Sequence, residues 1–128
     1  MNRFIELTSR ILLAAIFFMA GLGKIGAYAA TQGYMESQGV SGALLPIVIG
    51  LEIAGPVLLV IGWQTRVVAL ALAGFTLVTA FVFHLNFGDQ MQAIMFMKNL
   101  AIAGGLLLLF SHGAGEFSLD ARSNRSAR

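Results

Sequence analysis

Long apolar runs separated by short polar clusters dominate this chain. Phe4–Ile25 is apolar apart from an N-terminal polar stretch holding Glu6 and Arg10, and ends near Lys24. Leu44–Trp63 is apolar around one carboxylate, Glu52. Val67–Phe87 runs into His84, and Met91–Phe110 carries Lys98 and Asn99 in its first half. Each run approaches the ~20 residues that carry a helix across a bilayer. The pattern predicts an all-α, polytopic membrane protein: a bundle of transmembrane helices over about 4–25, 44–63, 67–87 and 91–110 within a single domain, 1–117. The connection 26–43 is the long one and has room for a short interfacial helix. Gly62-Trp63-Gln64-Thr65-Arg66 is a tight link, which makes the second and third helices antiparallel neighbours. Asn86-Phe87-Gly88-Asp89 is a turn signal between the third and fourth. The polar, basic segment 118–128 reads as a frayed cytoplasmic tail.

Composition strengthens this picture. Charged residues make up 11% of the chain and hydrophobic ones 58%, with a mean hydropathy of +0.84. A soluble domain carries about 25% charged residues, and a chain this short has too much surface for a large core to explain the deficit. Arg3 and Arg10 before an apolar run, with Ala27-Tyr28-Ala29 beyond it, resemble a secretory leader. Gly21, Gly23 and Lys24 interrupt that pattern, so the stretch is expected to be the first membrane helix.

Net charge is +2, with basic residues scattered and terminal, which suits membrane topology rather than nucleic acid. Arg3, Arg66, Arg122, Arg125 and Arg128 fall on one side and Lys24 on the other. The excess of positive charge predicts both termini in the cytoplasm and 26–43 outside. The absence of cysteine excludes disulfides, a redox thiol, thiolate-held iron–sulfur clusters and c-type haem attachment.

The candidate chemistry lies in the few intramembrane polar groups, which are costly and functional by default. At 1.5 Å per residue, Glu52 and Lys98 lie roughly 12 and 10 Å from the outer ends of their helices, a matching depth that suggests a pair. Pro56 removes the N–H that would bond the Glu52 carbonyl. Helical spacing gives four stripes of small and polar residues. These are Arg10, Ala14, Phe17, Gly21, Lys24; Glu52, Gly55, Leu59, Gly62; Ala69, Ala73, Thr76, Ala80, His84; and Lys98, Ala101, Gly105 beside Asn99. Turned inward, they predict a polar interior concentrated in the outer half. Plainer roles exist for each. Glu52–Lys98 can be a staple fixing helix register, Arg10 can snorkel to the cytoplasmic face, Lys24 can anchor a helix end, and His84 can be a hydrogen-bonded interfacial histidine. His84 and His112 lie at opposite faces, and no metal site is expected. Gly21-Leu22-Gly23-Lys24 lacks the spacing of a phosphate loop.

The ordered motifs Arg10-Ile-Leu-Leu-Ala, Phe18-Met-Ala-Gly21-Leu-Gly-Lys24, Glu52-Ile-Ala-Gly-Pro56 leading to Gly62-Trp-Gln-Thr-Arg66, Lys98-Asn-Leu-Ala-Ile-Ala-Gly-Gly, and Gly113-Ala-Gly-Glu-Phe-Ser-Leu-Asp120 resemble the DoxX family of small bacterial inner-membrane proteins. Gly55-Pro56 departs from the Gly-Gly common in that family, so altered helix geometry is expected there. The resemblance implies an accessory role in a quinone-linked membrane redox system. On that analogy Lys98, with His84 and Asn99, would hydrogen-bond the quinone oxygens or pair with an anion, and Glu52 would neutralise the lysine and move a proton. No intrinsic cofactor is expected beyond a bound quinone, and no self-sufficient catalytic constellation stands out. Membrane lipid and either a membrane-protein partner or further copies of the chain are the expected associates. A ligand-free assembly protein and a small proton or anion transporter are the competing readings.

Overall fold

The structure is a computed structural model describing residues 2–127, with side chains described through Ser123. Helix α1 spans Arg3–Gly26, α2 Tyr28–Ser37, α3 Leu45–Ile61, α4 Thr65–Phe83, α5 Gln90–His112 and α6 Leu119–Ala127. A single 3₁₀ turn, Gly42–Leu44, leads into α3. Four helices are long and apolar enough to cross a membrane: α1, the 3₁₀ turn with α3, α4 and α5. The protein is therefore all-α, with both ends of the described chain at one end of the bundle, here called the terminal face. The opposite end, carrying α2 and the α4–α5 turn, is the loop face.

The local signals explain the boundaries. Asn2 accepts the amide of Phe4 at 2.8 Å and opens α1, as an N-cap does. Asp89 does the same for α5 through the Met91 amide at 2.9 Å. Gly62, at φ 74°, closes α3 in the left-handed conformation that glycine adopts without strain. Pro46 lies in the first turn of α3, where its missing N–H costs nothing. Pro56 lies inside α3, which continues unbroken through it to Ile61.

α1 packs along α3 and α4 packs along α5; α3 and α4 join the two pairs, and α1 meets α5 only narrowly. Ala14 and Phe17 from α1, Leu59 from α3, Val68, Ala69, Leu72 and Ala73 from α4, and Leu106 from α5 form the shared core. Large exposed apolar side chains surround it on all four spans, as lipid-facing surfaces require.

Three expectations need correction. The segment from Ser118 is not frayed: Ser118 accepts the Ala121 amide at 3.1 Å and starts α6. The third span stops at Phe83, not Phe87, with His84 as its last cap. In the fourth span the buried series is Phe96, Ala103 and Leu106, while Lys98 and Ala101 are exposed. At about 100° per residue the two sets lie roughly 150° apart, so the buried face of α5 is nearly opposite the expected one.

Candidate functional site

The polar residues of the spans form separate groups at different depths. At the terminal face Arg10 is fully buried. Its Nη1 donates to the carbonyls of Leu59 at 2.9 Å and Val60 at 3.0 Å, and its Nη2 donates to the Phe117 carbonyl. The first two are end-of-helix carbonyls of α3 that lack intrahelical partners, and a cation there also meets the negative end of the helix dipole. Arg10 therefore does not snorkel; it ties α3 to the segment before α6.

Asp120 completes this clip from the other side. Its carboxylate accepts the amides of Gln64 at 2.8 Å and Thr65 at 2.9 Å, while its own amide donates to the Gly62 carbonyl at 2.8 Å. Gln64 is left-handed, at φ 52°, and gives α4 no side-chain cap of its own. Burial would raise the Asp120 pKa, but hydrogen bonds from Thr65 and Gln64 and the charge of Arg10 outweigh it and hold the carboxyl below its ordinary value. Gly62 lies between these groups, and a Cβ there would strike Ser118 and, at 2.6 Å, Arg10 Nη1.

Nearer the loop face, α1 and α3 hold the buried carboxylate. Glu52 meets Lys24 Nζ at 2.7 Å; the Glu52 side chain is 5% exposed and that of Lys24 29%. The expected partner, Lys98, is not there. Gly21, one turn before Lys24, makes this approach possible, because a Cβ on it would lie 2.7 Å from Ile53 Cδ1 and 3.2 Å from Glu52 Cβ. An apolar groove of about 330 Å³ runs along the same helix pair, lined by Ile11, Ala14, Phe18, Pro56 and Val60 among others. Pro56 is one helical turn from Glu52.

A third group lies between α4 and α5. Asn99 Nδ2 donates to the Thr76 carbonyl and to Thr79 Oγ1, each at 3.3 Å. His84 Nδ1 shares a 2.7 Å hydrogen bond with Gln92 Oε1. Lys98 faces outward from α5. The structure thus brings Lys24 to Glu52 and leaves Arg10, Asn99, His84 and Lys98 in other places. Among the described residues no cluster of His, Asp and Glu could hold a metal ion.

The roles of Asp120, Gln92 and Thr79 were not among the expectations from sequence. Asp120 had a signal in its motif, because Gly62-x-x-Thr65 and Ser118-x-Asp120 are the segments that meet. Lys24 had one too, since it shares a stripe with Gly21.

The chain is 51% identical over 119 residues to the inner membrane protein YqjF of Escherichia coli (strain K12), covering 93% of this chain and 92% of that protein. It is 36% identical over 123 residues to the inner membrane protein YphA of the same organism, covering 91% and 88% respectively. No solved structure matches. The DoxX family profile matches residues 5–85, a span that includes both members of the Lys24–Glu52 pair, and the chain belongs to the DoxX family.

Proposed function

We propose that this DoxX-family chain is an inner-membrane accessory subunit of a quinone-linked redox system, with both termini in the cytoplasm. The observation that carries the reading is the Lys24–Glu52 pair, 2.7 Å apart within two spans, with Glu52 one turn from Pro56 of an apolar groove on the same helices. Intramembrane ion pairs commonly mark ligand or proton pathways. The donor set fits a quinone: Lys24 offers N–H donors to a carbonyl oxygen, Glu52 balances its charge and accepts a proton, and the groove suits an isoprenoid tail. A bound quinone would supply the two-electron chemistry that a chain without cysteine lacks. In this reading Glu52 keeps the role the family analogy gave it, and Lys24 takes that of Lys98, with His84 and Asn99 outside the site. The inner-membrane location is supported by YqjF and YphA, and the orientation by the arginines of the terminal face.

The test is the quinone content of protein purified in native lipid, measured by mass spectrometry. Quinone should accompany the natural chain and be lost from the folded Lys24→Met/Glu52→Gln variant. A second reading, an assembly protein without a ligand, draws on the Arg10–Asp120 clip, which is wholly structural. It expects no quinone in either protein and full function in the double variant, since replacing both partners of a buried pair is often tolerated.

A further inference from the structure

Lys98 is a lysine on the outside of a membrane span. It lies eight residues after Gln90, about 12 Å along α5. A helix of 23 residues is about 34 Å long, against roughly 30 Å of hydrocarbon. Lys98 Cα is therefore about 10 Å inside the hydrocarbon edge, deeper than a lysine stem spans. The residue is exposed, and among the described residues it has no ion-pair or hydrogen-bond partner. It shares an open face of α5 with Gln90, Ala93, Ile94, Met97 and Ala101. Charged groups in spans otherwise face a bundle interior or a cavity and are paired.

We infer that the Lys98 face of α5 docks a membrane-spanning helix of a different protein that carries an Asp or Glu at the same depth. Charge complementarity selects a carboxylate, and Ala93 and Ala101 let a helix approach closely. A second copy of this chain does not fit. A two-fold contact through α5 would set Lys98 against Lys98. The chain has six acidic residues. Glu6, Glu116 and Asp120 belong to the terminal face, Glu36 and Asp89 to the loop face, and Glu52 is buried against Lys24. None offers an outward carboxylate at that depth. Lipid phosphate lies above the reach of the side chain. This inference stands apart from the quinone reading, and either can fail alone.

The test uses the full chain in native membranes. A membrane-permeant carbodiimide joins a lysine to a carboxylate only at contact. A photoreactive benzophenone residue at Met97 reports the neighbour independently. The expected result is an isopeptide from Lys98 to an Asp or Glu within a span of another protein, the same protein being captured from Met97. Capture from Met97 should fall at least about tenfold in Lys98→Met and persist in Lys98→Arg, as for loss of one member of a buried charge pair. Thermal melting of the Lys98→Met protein checks that it folds. Adducts only with lipid or a second copy, or capture unchanged in Lys98→Met, would overturn the inference.

Discussion

Asp120 caps a helix that begins 55 positions before it: its carboxylate holds the Thr65 amide at 2.9 Å and so closes the first turn of α4 from the far end of the chain. Arg10 meets the adjacent end of α3. Cation and anion thus complement opposite helix ends across the tight Gly62–Arg66 link. Replacing Asp120 by Ala should cost about 1–2 kcal/mol, the upper range for loss of an N-cap, and Asn should cost less. Thermal unfolding in lipid or detergent reads both.

The same carboxylate gives a pH dependence of definite sign. Its folded pKa is depressed, so its contribution is fully present above the ordinary carboxylate value and is lost as pH falls through the folded value. The melting-temperature difference between the natural chain and Asp120→Asn should hold steady above about pH 5 and shrink progressively as pH falls below it. A difference that grows on acidification would contradict the assignment.

Gly62 and Gly39 separate two kinds of glycine requirement. Both are left-handed, at φ 74° and 82°. A Cβ at Gly39 meets nothing, whereas one at Gly62 meets Ser118 and Arg10. Gly39→Ala should cost about 1–2 kcal/mol for the backbone alone. Gly62→Ala should cost more and should loosen α6, seen as faster amide exchange over Leu119–Arg122.

The buried pair predicts an asymmetry. Lys24→Met leaves the almost fully enclosed Glu52 charge without a partner, a change that costs about 3–5 kcal/mol for buried pairs. Glu52→Gln should cost less, because Lys24 is partly exposed and retains access to polar surroundings. Unfolding free energies of the two variants and their double decide it.

The α4–α5 seam is worth less. Asn99→Leu removes two hydrogen bonds of 3.3 Å, and interhelical bonds of this kind average about 0.6 kcal/mol. A loss above about 2 kcal/mol would show that Asn99 does more than join two helices.

Much of the fold was legible because small and polar residues recur at helical spacing. The stripe Arg10, Ala14, Phe17, Gly21 is the buried face of α1, and Ala69, Ala73, Thr76, Ala80 is buried on α4. The face of α5 was not legible. That helix is apolar on all sides, so the only cue was the premise that a charge turns inward, and Lys98 does not. The premise also paired Glu52 with Lys98 by depth, although depth says nothing about which helices touch. The contact of α1 with α3 rests on Gly21 fitting against Ile53, a matter of shape that hydropathy does not record. The fate of Asp120 was hidden for a related reason: a polar tail looks the same whether it frays or caps a helix 55 residues away.

The proposed ligand site joins the Lys24–Glu52 pair to the apolar α1–α3 groove that begins one turn away at Pro56. A photoreactive quinone analogue added to the protein in native lipid, followed by peptide mapping, tests it directly. Labels are expected within Ile11–Lys24 and Glu52–Ile61, suppressed by excess natural quinone and absent from the folded Lys24→Met/Glu52→Gln variant. Labelling confined to α5, or labelling equal in the variant, would contradict it.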